Sequence, residues 1–412
     1  MKKYGSIDRA LTLVITVILL SGCTGIVEKR ILTTTPVVTG LGDLNAYYSA
    51  NRFEFCSTSF SSVNSAKPQG CLTYYDLADF KVEHDGELIN ITEQNFTFTN
   101  TSSQTDSASN VGNQTNNEEE LTSKNKANFS LNERIEFKFP ELADNAPIAV
   151  ISPGYGLQAT QTISPWATWF RHMGIQPIVL PGPTEYQPMQ FGLNHAAIVA
   201  ELLKSEYPDR PIILLGFSMG VLSATEIERE LIEADIQPAA LMLVAPMNNF
   251  REHATSVFSQ VKAQDWRVRW FISDERFSTA LERVIVASEV NEQALDFYKR
   301  ISEASTPMVI AASEVDDIVD YEKLRAGFNL KEEERVQLSP YPDHPEFLVS
   351  LEPFTDIEAQ LITVPRLNHV GMYLLLRALR TPLQEWLSTH VELTFAPEPE
   401  YPKHSEGETE AL

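Results

Sequence analysis

The sequence predicts an α/β protein with a mostly parallel central sheet and helices on both faces, preceded by a small β-rich amino-terminal region. From residue 131 onward, strand-like and helix-like hydrophobic patterns alternate, which is the order that produces a parallel sheet between two helical layers. Residues 41–98 instead contain stretches in which polar and apolar residues alternate, as they do in half-buried strands. The chain has 412 residues, 43% of them hydrophobic, which suffices for one large core and a smaller element.

The charge of the chain restricts its partners. A formal net charge of -24 argues against nucleic acid, because affinity for a phosphate backbone depends on clustered Lys and Arg that release counterions. We interpret the acidity as a well-solvated surface. The sequence also contains no His-Glu-x-x-His, Cys-x-x-Cys or Gly-x-Gly-x-x-Gly motif, so it predicts neither a metal ion nor a dinucleotide cofactor.

Residues 1–22 have the pattern of a secretory signal peptide. Lys2, Lys3 and Arg9 flank an apolar run at residues 10–20. This run is far shorter than the roughly 20 apolar residues that cross a bilayer as a helix. The pattern therefore predicts export rather than a transmembrane anchor.

The Leu-Ser-Gly-Cys sequence at residues 20–23 resembles the bacterial lipobox. In a lipobox the Cys thiol receives a diacylglyceryl group and becomes the first residue of the mature protein. The resemblance implies that the protein is anchored to a membrane through Cys23. Thr24, in place of Asp, implies sorting to the outer membrane.

The two other cysteines, Cys56 and Cys71, form an even pair once Cys23 is assigned to the lipid. Export would place them in a compartment where disulfides persist. We expect a bond between them, which would stabilise this region by about 3 kcal/mol by closing a loop. The alternative is two separate buried thiols, since free Cys behaves as a small hydrophobe.

Composition divides the remainder of the chain. Residues 23–40 are rich in Thr and Val without helical periodicity, and we interpret them as a tether. Residues 99–130 are mainly polar and predict a disordered linker or a long exposed loop. Residues 394–412 combine Pro with Glu and predict an acidic tail. The large α/β domain then occupies residues 131–393.

The most informative motif is Gly-Phe-Ser-Met-Gly at residues 216–220. An apolar run at residues 211–215 predicts a buried strand before it, and a helical pattern follows at residues 221–227. A strand-to-helix turn this tight excludes side chains two residues before and after its centre, so both positions require Gly. Ser218 at the centre is then held in a strained conformation that points its hydroxyl out of the sheet. The pattern indicates a nucleophilic serine.

With this motif in its strand-turn-helix context, residues 131–393 resemble the α/β-hydrolases. The resemblance implies acyl transfer through a Ser-His-Asp triad and an acyl-enzyme, with no cofactor. It also implies a helical cap over the active site, formed by residues 246–305. Ser218 disfavours the dehalogenases and epoxide hydrolases of this fold, which use Asp at the same place.

The resemblance further implies an oxyanion hole made of two backbone N–H groups. In the family, one donor lies in a Gly-rich turn after an early strand, and the other follows the nucleophile. Residues 148–152 predict such a strand, and the turn at residues 153–156 follows it. By position the donors are the N–H groups of Tyr155 and Met219. The family often has His-Gly where this turn begins with Pro-Gly, and an ordinary turn is the alternative.

The triad acid is expected just after a late strand, which the sequence predicts at residues 307–312. Asp316 fits the Asp-x-Ile-Val pattern that the family commonly uses there. Its task would be to hold one tautomer of the histidine and to stabilise the imidazolium. Asp317 and Asp320 are the alternatives in the same loop.

The triad base must follow the acid along the chain. His369 comes after a final strand predicted at residues 359–364 and opens a helix with an apolar face, which is how the family presents its histidine. His344 is the main alternative, although loop histidines are usually only exposed. His390 at a helix end and His404 in the tail also follow the acid.

The predicted function is cleavage of a carboxylic ester, such as a lipid or lysophospholipid in view of the membrane tether. A serine peptidase of the same fold is the enzymatic alternative. A catalytically silent lipoprotein that binds ligands at the surface is the alternative from another class. Aromatic residues of the predicted cap either line an apolar acyl pocket or form the core of the cap itself: Phe250, Phe258, Trp266, Trp270, Phe271 and Phe277.

Overall fold

A computed structural model describes residues 25, 27–29, 31, 44–57, 70–84, 87–90, 93–96, 135–186, 189–338, 348–374 and 376–395. The described residues fall into two units. The first lies within residues 1–91 and 139–396, and the second lies within residues 92–138 and 397–412. The second unit contains one antiparallel strand pair.

The described strands are β1 (Arg52–Cys56), β2 (Cys71–Asp76), β3 (Lys81–His84), β4 (Glu87–Asn90), β5 (Glu93–Phe96), β6 (Ile135–Lys138), β7 (Ile148–Ser152), β8 (Gln176–Val179), β9 (Ile212–Phe217), β10 (Ala240–Val244), β11 (Met308–Ser313), β12 (Val336–Leu338), β13 (Val349–Pro353) and β14 (Ala359–Val364). Ten of them form one sheet in the order β1-β2-β8-β7-β9-β10-β11-β14-β13-β12. Strands β3 and β4 pair with each other, and so do β5 and β6.

The described α-helices are α1 (Leu44–Tyr47), α2 (Ala159–Thr162), α3 (Thr168–His172), α4 (Ala196–Glu206), α5 (Gly220–Glu233), α6 (Phe250–Gln264), α7 (Trp266–Phe271), α8 (Asp274–Ala287), α9 (Phe297–Glu303), α10 (Tyr321–Gly327), α11 (His369–Leu374) and α12 (Leu376–Ser388). A π-helical stretch, Ile163–Ala167, joins α2 to α3. No helix in the described ranges combines the length and the apolar character needed to cross a bilayer.

The centre of the sheet is parallel, and its edges are antiparallel. Strands β8, β7, β9, β10, β11 and β14 run parallel, whereas the strands at either edge pair antiparallel. Every residue of β7, β9, β10 and β11 is buried, which explains why these segments are continuous apolar runs. The predicted fold class is confirmed.

Strands β1 and β2 lie in the region that the sequence predicted to be β-rich. They extend the central sheet, because Tyr75 and Asp76 of β2 pair antiparallel with β8. Cys56 and Cys71 occupy paired positions on the two strands and are joined by a disulfide bond. The bond closes the loop between the strands and fixes their register at the edge of the sheet.

The segment predicted to form the cap, residues 246–305, contains helices α6 to α9. Each of these helices begins at a side chain that accepts a hydrogen bond from a backbone N–H of the first turn. The four N-cap residues are Asn249, Asp265, Ser273 and Asp296. These caps set the bends that divide the segment into four helices.

Several predicted segments lie outside the described residues. They are the predicted signal peptide at residues 1–22, the predicted lipidation site Cys23, the predicted linker at residues 99–130 and residues 396–412 of the predicted acidic tail. The alternative bases His344 and His404 also lie outside.

Candidate active site

Ser218 occupies the sharp turn between strand β9 and helix α5. Its φ angle is 51°, in the left-handed region that a non-glycine residue rarely adopts. Its backbone N–H donates a hydrogen bond of 2.8 Å to the carbonyl oxygen of Val244, at the end of the neighbouring strand β10. The strained residue is thus held in place by the sheet.

Gly216 and Gly220 flank the serine for a steric reason. A Cβ atom on Gly216 would lie 2.7 Å from the Cα atom of Val221. On Gly220 it would lie 2.0 Å from the carbonyl oxygen of Ser152, on strand β7. Both neighbours are backbone atoms, which cannot move aside by rotating a side chain. The Gly-x-Ser-x-Gly spacing follows directly from these contacts.

We expect Gly220→Ala to lower the free energy of unfolding by about 3 kcal/mol, because the added methyl group can be accommodated only by moving strand or helix backbone. Urea unfolding followed by circular dichroism would measure the change. Gly25→Ala is the control, since a Cβ there meets nothing within 4 Å. Equal unfolding midpoints for the two variants would contradict the steric explanation.

The structure brings Ser218, His369 and Asp316 together. His369 Nε2 lies 2.9 Å from Ser218 Oγ, and His369 Nδ1 lies 2.9 Å from Asp316 Oδ2. The three residues come from three places in the fold: the turn after β9, the loop after β11 and the first residue of α11. His369 is 7% exposed and Ser218 is 5% exposed, so the hydrogen bonds are shielded from water. The row can polarise the serine hydroxyl towards the imidazole.

Asp316 is oriented by backbone donors. Its Oδ1 atom accepts hydrogen bonds from the N–H groups of Ile318, at 2.8 Å, and Val319, at 2.7 Å. This leaves Oδ2 to face the imidazole, and the side chain is 1% exposed. Such a carboxylate has one oxygen fixed by the loop and the other free to bind the histidine.

The alternative acids occupy other positions. Asp317 Oδ1 accepts a hydrogen bond of 3.2 Å from the backbone N–H of His369, so it contacts the histidine through the main chain. Asp320 caps helix α10 by accepting from the N–H of Lys323. Among the other histidines, His390 lies after helix α12, where its Nδ1 is 3.0 Å from the carbonyl oxygen of Trp386.

Tyr155 and Met219, the expected oxyanion donors, border the same cavity as Ser218. Met219 is the N-cap residue of α5, where the N–H groups of a helix have no acceptor within the helix. The turn that carries Tyr155 lies against the serine, because a Cβ on Gly154 would be 3.2 Å from Ser218 Cβ. This placement suits two N–H groups that converge on one oxygen.

The cavity beside Ser218 has a volume of about 520 Å³ and a mainly apolar lining. Three of the aromatic residues predicted for an acyl pocket line it: Phe250, Phe258 and Phe277. The rings of Phe258 and Phe277 stack with their centroids 4.1 Å apart. Helices α6 and α8 therefore supply an apolar wall to this cavity, whose size suits a small ligand or an acyl chain.

The other three predicted pocket residues neither line the cavity nor form a core. Trp266, Trp270 and Phe271 are 59%, 77% and 59% exposed. They belong to the short helix α7, which turns Val268 towards the cavity instead. The expectation for these three residues was wrong, because α7 lies at the surface and the side that it turns towards the cavity carries Val268.

His253 is a cavity residue that sequence reasoning missed. It lies on α6, and burial lowers its pKa to about 4, with a smaller contribution from His369 and an opposing one from Asp316. It is therefore neutral near pH 7. It was not predicted because it precedes Asp316 in the sequence, whereas the triad histidine was expected to follow the acid. Its spacing from Phe250 and Val257, three and four residues away, was the available signal.

Part of the segment interpreted as a tether also contacts the site. Val27 and Ile31 line the cavity. Tyr155 donates a hydrogen bond of 2.7 Å from its hydroxyl to the carbonyl oxygen of Ile31. Glu28 lies 3.6 Å from Arg283 of the cap helix α8. These residues form a wall of the cavity rather than a free tether.

The structure has the features that define the α/β-hydrolase fold: a mostly parallel sheet with this strand order, a strained serine at a strand-to-helix turn, and a histidine and a carboxylate in line with the serine. No family model matches the chain.

The chain is similar to lysophosphatidylserine lipase ABHD12 of Macaca fascicularis, with 27% identity over 169 residues. The match covers 40% of this chain and 38% of the lipase, so the chain spans well under half of that relative. The lipase of the same name from Gallus gallus is 33% identical over 95 residues, 23% of this chain and 25% of the relative. The structure of the esterase Est2 from Thermogutta terrifontis superposes with a TM-score of 0.41 and 14% identity, covering 65% of this chain and 93% of that one.

Proposed function

We propose that the protein hydrolyses a carboxylic ester of a lipid, with Ser218 as nucleophile, His369 as base and Asp316 as the acid that orients it. The observation that carries this proposal is the hydrogen-bonded row of these residues at the wall of an apolar cavity. The row provides an activated hydroxyl, and the cavity provides a place for an acyl chain.

In the proposed reaction, His369 Nε2 takes the proton of Ser218 as Oγ attacks the ester carbonyl. Asp316 stabilises the imidazolium that forms. The backbone N–H groups of Tyr155 and Met219 bind the oxyanion. The imidazolium then protonates the departing alcohol, and water activated by His369 cleaves the acyl-enzyme and releases the acid.

The cavity supports a lipid rather than a peptide. The side chains at the cavity wall are mainly aliphatic and aromatic. Among the described residues, no carboxylate that could bind the amino group of a peptide lines the cavity. The similarity to lysophosphatidylserine lipases agrees with an ester of a long acyl chain.

Two measurements test this function. A fluorophosphonate probe should label the folded protein at Ser218. Absence of labelling would favour the alternative function, a catalytically silent lipoprotein that binds ligands. A panel of p-nitrophenyl esters from acetate to palmitate, with aminoacyl p-nitroanilides beside it, should show hydrolysis of the esters only. Faster cleavage of the anilides would favour the peptidase.

We propose in addition that the protein is exported and carries its lipid on Cys23, in the outer membrane. The support is the leader at residues 1–22 and the Leu-Ser-Gly-Cys sequence that ends it. A clickable fatty acid fed to cells should label the protein, and Cys23→Ala should remove the label.

A further inference from the structure

Helix α7 presents large apolar side chains that the fold does not bury. Trp266, Trp270 and Phe271 project from it, and Val261 at the end of α6 is 43% exposed. We call these four residues the aromatic patch. Exposed apolar residues that stand singly need no explanation, whereas a cluster of large ones marks an interaction surface.

The charge of α7 differs from that of the whole chain. Its six residues include Arg267 and Arg269 and no acidic residue, although the chain carries a net charge of -24. Neither guanidinium forms an ion pair with a carboxylate of the described residues. Arg267 instead lies 6.0 Å from the centre of the Trp266 ring. The helix therefore presents cationic and aromatic groups together.

This combination fits an anionic phospholipid surface. Trp rings are amphipathic and prefer the boundary between headgroups and acyl chains, and Arg binds lipid phosphates. A second copy of this chain fits less well. A symmetric contact through the patch would bring Arg267 and Arg269 of one copy close to the same arginines of the other copy, and like charges repel.

The aromatic patch borders the cavity. Val261 is exposed and also lines the cavity, and Val268 and Ile272 line it from α7 and the residue after it. Val27, which lines the same cavity, follows Cys23 by four residues. Four residues of fully extended chain span at most about 14 Å. A lipid on Cys23 would hold this side of the protein near the membrane.

We propose that the aromatic patch docks the cap on an anionic phospholipid surface, so that an ester enters the cavity from the membrane. The docking is inferred from the exposed aromatic side chains and the positive charge of α7. Its consequence for the ester rests on the proposed function.

Tryptophan fluorescence can test the docking. Of the five Trp in the chain, Trp166, Trp169 and Trp386 are buried, so Trp266 and Trp270 are the exposed reporters. The full chain with Cys23→Ala, which cannot be lipidated, is mixed with phosphatidylglycerol vesicles whose acyl chains are brominated. We expect quenching by these vesicles, and much weaker quenching by brominated phosphatidylcholine.

The test variant combines Arg267→Gln, Arg269→Gln and Phe271→Ser, which keeps both reporters and changes no residue of the cavity wall. Its vesicle affinity should fall by about tenfold or more, since each Arg near an anionic surface favours binding. The control combines Phe53→Ser and Val336→Ser, which remove exposed apolar side chains from β1 and β12 at the two edges of the sheet. The control should bind vesicles as the parent does.

Equal binding by the two variants, or no quenching at all, would overturn the proposal. So would a change of oligomeric state in the test variant with its vesicle binding intact, because the patch would then join two copies. Hydrolysis of p-nitrophenyl butyrate, which needs no membrane, is measured on the same samples. Hydrolysis without docking would refute only this inference, and docking without hydrolysis would refute only the proposed function.

Discussion

If the proposed function holds, Ser218→Ala should reduce the kcat of ester hydrolysis by a factor on the order of 10⁶, which is the loss that removing the nucleophile causes in a well-studied serine protease. Among the described residues, no other hydroxyl lies within hydrogen-bond distance of His369 Nε2, so no group can take its place. The backbone at 218 accommodates Ala without additional crowding, and the variant should fold. Assays with p-nitrophenyl butyrate would measure the loss.

Ser223→Ala is a matched control for this substitution. Ser223 lies on α5, five residues after the nucleophile, and its Oγ is 3.1 Å from Ser152 Oγ rather than from the imidazole. This variant should keep most of the activity. If Ser218→Ala kept more than a small fraction of the parent rate, or both variants lost activity equally, the assignment of the nucleophile would be wrong.

Asp316→Asn should lower kcat by about 10⁴-fold for a reason that the geometry makes explicit. Two backbone N–H groups point at the Oδ1 position, so the carbonyl oxygen of Asn must stay there. Its NH₂ group is then turned towards His369 Nδ1, which must accept instead of donate. The proton moves to Nε2, and this atom can no longer receive the proton of Ser218.

Asp320→Asn is the control for the acid, because Asn caps a helix as well as Asp does. We expect its kcat to match that of the parent, with unchanged KM for both variants when a short ester is used. A similar loss of kcat in the two variants would show that kcat depends on the negative charge of this loop rather than on the orientation of the imidazole.

The sequence was most informative where local sterics decide the structure. The buried runs of β7 and β9 predict a parallel sheet, because strands covered on both faces have no polar side. The contacts of Gly216 and Gly220 make the turn around Ser218 recognisable from five residues. The resemblance to the α/β-hydrolases then favoured Asp316 and His369 over the other carboxylates and histidines that chain order allowed, and the structure brings both to the serine.

Other features depend on contacts that no local pattern encodes. The alternating stretches within residues 41–98 predict half-buried strands but do not identify the strands with which this region pairs. Strand β2 pairs with β8, which lies about a hundred residues further along the chain. Helix α7 is too short for periodicity to distinguish Val268, which lines the cavity, from Trp270, which faces outward. His253 could be assigned to the site only once α6 was known to lie over it.

The hydrogen bond from Tyr155 to Ile31 joins residues near the start of the chain to the wall of the cavity. A protease that cut after Ile31 would release a protein that had lost Val27 and Ile31 from the wall of its cavity. Bulk water would then reach the cavity, and Ser218 at its wall, from the side on which these two residues lie. Under the function proposed above, we therefore expect such proteolysis to change which acyl-chain lengths the protein cleaves.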